Sequence, residues 1–384
     1  MCADSSQITA QYFLFLQQLY NFFAASTSRW NELMNIFKEA GQNIKTPKSL
    51  STTRWSCRYD ASAAVLNSYS SLVNCLEKLK DDESKDGLTR TEARSILKNL
   101  QRPTTHFMLI FWTKILERFN KVSKSLQKVQ NTLNTVRTLL SSLREYFQTM
   151  RNDFEMIQEE VRTKFGVTEN ENPDQTRPQR LRKRKLHFDE VPGSEEVLMS
   201  ENTKLKVEGF YAVIDNAIAE LERRGKVYDE VFQRFEFLFC LDETKEVILE
   251  KMKIFQEFYR SEVSDDLFNE YLHFKHFILA DNRDPQLVTP SEMLECIVQN
   301  KVESTFPNVF IALKLYLVLP ISSATGERSF NVLKRIKNFL RTTLGDDKFS
   351  RLSLLCIEND LTQNFNNEDL LNEFAALKAR KKFM

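Results

Sequence analysis

The sequence predicts a mainly α protein. Glycine (8) and proline (9) are scarce in 384 residues, so the chain has few of the residues that end helices and make tight turns. No stretch shows sustained period-two alternation bounded by turn residues, so strands are expected to be few. Apolar residues instead recur every three or four positions over most of the length. The 30 phenylalanines predict helices that pack through bulky aromatic contacts.

Taken in order, Gln11 to Phe37 carries Phe15, Leu19, Phe22 and Phe23, then Trp30, Leu33 and Phe37, at helical spacing. Ser26, Thr27 and Ser28 supply a break and an N-cap between two helices, and Gly41 is placed to end the second. A polar loop with Pro47 follows, and from Asp60 the pattern through Val65, Tyr69, Leu72 and Leu76 is helical again. Asp81 to Gly87 reads as a charged loop. The strongest periodicity runs from Ile115 through Phe119, Val122 and Leu126 to Val161, in steps of four and three, sustained over about six heptads. A long helix packed within the chain or a coiled-coil dimer would both explain it. Flanking amphipathic segments favour packing within the chain.

Around 168–200 the character changes: Pro173, Pro178, Pro192 and Gly193 and few apolar residues predict an exposed, disordered loop. Further helices are expected over 204–223, 231–238, 247–258 and 267–277. Ser291 is the expected cap of a helix over 292–300, and the last helices are expected over 307–319, 322–340 and 348–359.

Composition excludes several classes. A net charge of +1 leaves no global field toward nucleic acid, so any basic contact must be local. The six cysteines form no Cys-x-x-Cys pair, which suits a reducing compartment. No secretory signal and no long apolar run is seen, so a soluble intracellular chain without membrane or small-molecule partner is expected. His273 and His276 share a helical face, but no Cys or acid completes a metal set, so no metal or other cofactor is expected. The aromatic residues Phe232, Phe235, Phe237 and Phe239 read as core.

The run Arg177–Lys185 holds six basic residues in nine, including Arg180, Arg182, Lys183, Arg184 and Lys185. It resembles a nuclear localisation signal, which places the protein in the nucleus. A phosphate-binding tail and a plain solvated loop are the alternatives.

The segment Pro320–Phe330 (Pro-Ile-Ser-Ser-Ala-Thr-Gly-Glu-Arg-Ser-Phe), followed by Leu333-Lys, Ile336-Lys, Leu340-Arg, Arg351-Leu and Leu354-Leu-x-Ile357, resembles the C-terminal dimerisation region of hAT-superfamily transposases. The stretch Thr52–Asp60, with Arg54 and Trp55, resembles the Arg-Trp element of the hAT insertion domain, in the variety found in zinc-finger MYM-type and related transposon-derived proteins.

The resemblance implies a helical insertion-type domain over 1–300, a C-terminal dimerisation region over 301–365 that is the remnant of an RNase H-like core, and a charged tail over 366–384. It implies that Glu327 descends from the third carboxylate of an Asp-Asp-Glu metal set. The two aspartates belong to strands upstream of the insertion domain, so the chain is expected to be truncated at its N-terminus and to lack transposase activity of its own. Divalent metal would belong only to a complete, active relative. Arg54 and Trp55 would contact DNA, with Trp55 stacking on a base; a buried tryptophan anchoring the following helix is the alternative. The implied partner is a second copy or a related hAT-like chain, with DNA as a further partner. Phe310, Leu313, Leu317, Phe330, Leu333 and Phe339 are the expected dimerisation residues.

Overall fold

The computed structural model describes residues 6–41, 46–50, 55–128, 132–166, 200–280, 284–285, 287–320, 322, 324–338, 341, 343–364 and 366–376. The fold is mainly α, and no strand occurs among the described residues. The chain divides into two compact units: residues 1–125 with 132–318, and residues 126–131 with 319–384.

The larger unit begins with α1 (Gln7–Ala24) and α2 (Thr27–Glu39). The Ser26 hydroxyl caps α2 by accepting the Arg29 N–H, as the sequence predicts. Gly41, at φ +63°, takes the left-handed conformation that turns the chain out of it. The single helix expected after Asp60 is two, α3 (Trp55–Asn67) and α4 (Tyr69–Asp81). Ser68 sits between them, outside helical geometry at φ −106°, ψ 14°. The Asp86 carboxylate caps α5 (Gly87–Leu100).

The heptad region is not one helix. It forms α6 (Pro103–Leu126), α7 (Leu133–Met150) and α8 (Phe154–Phe165). No proline or glycine forces these breaks. Thr132 opens α7 by accepting the Thr135 N–H, and Gly166, at φ +67°, closes α8. The apolar register survives the breaks because each piece turns the same stripe inward. Leu133, Val136, Leu140, Leu143, Phe147 and Met150 are all buried within the chain.

From residue 200 onward come the single turn α9 (Glu201–Lys204), a π-helical turn (Leu205–Tyr211) and α10 (Ala212–Phe235), which packs along α7. At Gly209 an added Cβ would lie 2.8 Å from Met108 Cε, so the π turn brings backbone close to α6. A 3-10 turn (Glu236–Phe239) leads to α11 (Lys245–Phe258), α12 (Leu267–Ile278), α13 (Pro290–Asn300) and α14 (Pro307–Val318). The cap of α13 is Thr289 and not the expected Ser291. Its hydroxyl accepts the Glu292 N–H while the Glu292 carboxylate accepts the Thr289 N–H, which leaves Pro290 and Ser291 inside the first turn.

Aromatic contacts hold this unit together. Phe210 lies 5.0 Å from Phe111 and 5.3 Å from Phe154 between ring centroids, and Phe13 meets Trp112 edge-on at 4.9 Å. Phe235 and Phe237 are core residues, as expected. Phe235 reaches Phe255 at 5.4 Å and Tyr316 at 5.6 Å, and the Tyr271 hydroxyl donates to the Phe237 carbonyl at 2.7 Å. His273 is exposed with its ring 5.0 Å from Phe306, so it is an aromatic neighbour.

His106 is buried, stacked on Phe165 at 4.1 Å and bonded through Nε2 to the Tyr69 hydroxyl at 2.7 Å. Burial pulls its pKa down to about 4. The folded imidazole therefore stays neutral where the unfolded one, with a pKa of about 6.5, takes up a proton. Stability should be full above that unfolded value and fall as pH drops toward 4. Thermal midpoints against pH should show this loss in the wild type and a flatter profile in His106→Gln.

The smaller unit contains α15 (Ala324–Ile336), α16 (Asp346–Ile357), the short α17 (Asn359–Thr362) and α18 (Asn367–Ala376). The segment read as a charged tail thus includes a helix. No helix among the described residues is long and apolar enough to cross a membrane.

Candidate dimerisation surface

The two units present the expected dimerisation residues differently. In the larger unit α14 is anchored at its N-terminus by a buried carboxylate. Glu270 of α12 accepts the Val309 N–H at 2.7 Å and the Asn308 side-chain amide at 2.6 Å. Asn308 also accepts the Ser264 N–H at 2.8 Å, which ties the loop before α12 into the same network. A carboxylate suits this place, because a helix N-terminus offers unpaired N–H groups and positive potential. Burial raises the pKa of Glu270 above the ordinary glutamate value, and the donated Val309 N–H and Asn308 amide hold it back.

Anchored in this way, α14 turns Val309, Ala312, Leu313 and Tyr316 into the core. Leu313 is fully buried (0%), so it belongs to the chain's own core and is not available to a second copy. Phe310 is half-buried under the Lys314 ammonium, 5.0 Å from the ring centre. Leu317 is 38% exposed.

The smaller unit has almost no interior of its own. Among its described residues, Ile336 (6% exposed) is the buried hydrophobic side chain, joined by Ser353, whose hydroxyl donates to the Phe349 carbonyl at 2.7 Å. α15 packs on α16, and Lys337 lies over the Phe349 ring at 5.5 Å. Leu333 is half-buried and Phe330 is 71% exposed.

Other large apolar side chains stand out in stripes. Leu354, Ile357 and Leu361 recur at three- and four-residue spacing along α16 and α17, and Leu370, Leu371 and Phe374 share a face of α18. All six are exposed. Isolated surface leucines need no explanation, but this many exposed apolar side chains in one small unit mark an association surface.

Glu327 lies in the first turn of α15, where the helix dipole favours a negative charge, and is exposed. Among the described residues no group of three His, Cys, Asp or Glu side chains stands close enough to hold a metal ion. Arg328 donates to the Gln127 carbonyl at 3.4 Å.

Trp55 opens α3, and three residues further along that helix Arg58 lies 4.8 Å over the Phe13 ring. Arg54, Phe339, Arg180, Arg182, Lys183, Arg184 and Lys185 lie outside the described residues.

Sequence reasoning missed Glu270, because a lone acid inside an amphipathic segment reads as a surface residue. It also missed the apolar face of α18, whose spacing was legible in Leu370, Leu371 and Phe374 but was masked by the charge around it.

A family profile described as the hAT family C-terminal dimerisation region matches residues 269–361, from α12 through α17. The chain is also 32% identical over 111 residues to the 52 kDa repressor of the inhibitor of the protein kinase of Mus musculus, and equally to that of Homo sapiens. Each match covers 29% of this chain and 14% of the relative, so the chain spans a small part of the length of these curated proteins. No solved structure matches. The chain carries, over residues 269–361, a hAT-family C-terminal dimerisation region.

Proposed function

We propose that the chain works by protein association, with the exposed apolar faces of α15 to α18 packing onto a second copy or a related hAT-type chain. The observation that carries this reading is the near absence of buried apolar side chains in a unit with Phe330, Leu354, Ile357, Leu370, Leu371 and Phe374 in solvent. Hydrophobic association surfaces combine such apolar stripes with a charged rim. α15 supplies that rim through Lys334 and Arg335, with Lys337 just beyond its end, and α16 supplies acids through Asp346 and Asp347. The family region that covers most of these helices supports the same reading.

On this reading the chain has no transposase activity of its own. Glu327 is a vestige, and α14 to α16 are the helical remainder of an RNase H-like core. The runner-up, a DNA transposase of the Asp-Asp-Glu class, needs carboxylates that the described residues do not bring to Glu327. We place the protein in the nucleus on the strength of the basic run 177–185, and keep Arg54 and Trp55 as DNA contacts.

Two differently tagged copies of the full chain, expressed together, should co-purify through either tag. Recovery of each tag alone would remove self-association and leave only a related hAT-type chain as partner.

A further inference from the structure

Away from the association surface, a thiol and an amine meet in the larger unit. Cys240 follows the 3-10 turn (Glu236–Phe239), and Lys251 lies in α11, which packs against that turn. Lys251 Nζ donates to Cys240 Sγ at 3.3 Å and pairs with the Glu236 carboxylate at 3.2 Å. The Cys240 S–H donates to the Glu236 carbonyl, also at 3.3 Å. The thiol proton thus points into the turn while the sulfur accepts from the amine.

Exposure differs within this trio. Cys240 is 3% exposed, whereas the Lys251 and Glu236 side chains are 27% and 35% exposed. A sulfur this enclosed is closed to glutathione and other bulky thiols, but a molecule as small as hydrogen peroxide can enter beside Lys251. Burial pushes the Cys240 thiol pKa up, and the Lys251 ammonium opposes that rise. Burial alone would lower the Lys251 pKa, but Cys240 and Glu236 outweigh it and raise it. Both groups therefore rest in their protonated forms, and the thiol reacts slowly until an oxidant accumulates.

We propose that Cys240 and Lys251 form a peroxide-driven modification site, at which the sulfur of one becomes bonded to the nitrogen of the other as a sulfenamide. In the first step the thiol takes one oxygen from hydrogen peroxide and becomes a sulfenic acid, releasing one water. Sulfur loses two electrons and the peroxide gains them. In the second step the Glu236 carboxylate takes a proton from the Lys251 ammonium. The freed amine attacks sulfur, the S–O bond breaks as the S–N bond forms, and the hydroxyl leaves with a nitrogen proton as a second water. Glu236 then returns its proton to solvent. Two small thiol molecules reverse the bond, giving back thiol and amine and leaving as a disulfide. Without the amine beside it, a sulfenic acid goes on under peroxide to the irreversible sulfinic acid. The bond also staples α11 to the turn that carries Phe237, a core residue.

The test is peptide mapping of the full chain after hydrogen peroxide treatment, in the wild type, Cys240→Ser and Lys251→Arg, with free thiols alkylated on unfolding. Lys251→Arg keeps a cation beside the sulfur and removes the nucleophilic amine. Trypsin should release peptides 235–245 and 246–253 of the wild type joined and lighter by two hydrogens, and dithiothreitol should separate them. The oxidised wild type should melt at a higher temperature than the reduced one. Both variants should lack the joined peptide and the rise, and Lys251→Arg should carry sulfinic acid at Cys240. Three results would overturn the proposal. One is a wild type whose Cys240 goes straight to sulfinic acid. Another is Cys240 left unreacted where the exposed Cys356 is fully oxidised. The third is a joined peptide that keeps an oxygen between sulfur and nitrogen, told apart from Met252 sulfoxide by fragment masses.

Discussion

Phe330→Asp combined with Leu354→Asp and Phe374→Asp should convert the associated protein to a monomer while the larger unit melts as before. Each of these side chains is more than half exposed in the single chain, so none contributes core packing that the aspartates would remove. Buried in an interface, each large apolar side chain is worth about 1.5–3 kcal/mol. The losses at neighbouring hot spots do not add fully, so about a hundredfold weakening is a conservative expectation for the triple variant. Carboxylates forced into a desolvated apolar contact add to the loss. Mass measured against concentration would show the shift, and far-ultraviolet circular dichroism would show that α15 to α18 remain helical. A triple variant that associates as tightly as the wild type would move the interface elsewhere.

The second large effect concerns Glu270. Glu270→Ala should destabilise the larger unit by about 3 kcal/mol, because it strands the Val309 N–H and the Asn308 amide in the interior. Glu270→Gln keeps an acceptor for Val309 and removes a partly buried charge, so it should stay within about 1 kcal/mol of the wild type. The two substitutions also differ in pH dependence. The folded-state pKa of Glu270 is raised, chiefly by burial, so the folded state holds its proton more tightly than the unfolded state does. The wild type should therefore lose stability relative to Glu270→Gln as pH rises from the unfolded carboxylate range through the raised value, and be level above it. That trend opposes the one expected at His106, where stability grows with pH. Paired measurements on Glu270→Gln and His106→Gln separate the two.

How far the fold was legible depended on the kind of signal at each position. Ser26 and Gly41 mark helix ends because a cap hydroxyl and a positive φ each demand a particular residue. The breaks between α6, α7 and α8 had no such mark. Thr132 works as a cap, but its sequence neighbours continue the 3.5-residue period, so the pattern alone reads as one helix. Pro290 looks like a boundary and so favours Ser291 as the cap, whereas proline fits inside the first turn of a helix and leaves Thr289 to cap it.

Periodicity shows that Leu313 and Phe330 each lie on an apolar face, but it cannot say whether the chain itself covers that face. One is fully buried and the other 71% exposed.

Sedimentation of the full wild-type chain over a wide concentration range tests the central claim most directly. Association through α15 to α18 predicts a species of twice the chain mass that dissociates on dilution and is absent in the Phe330, Leu354 and Phe374 triple variant. A single species of the chain mass up to the solubility limit would contradict it.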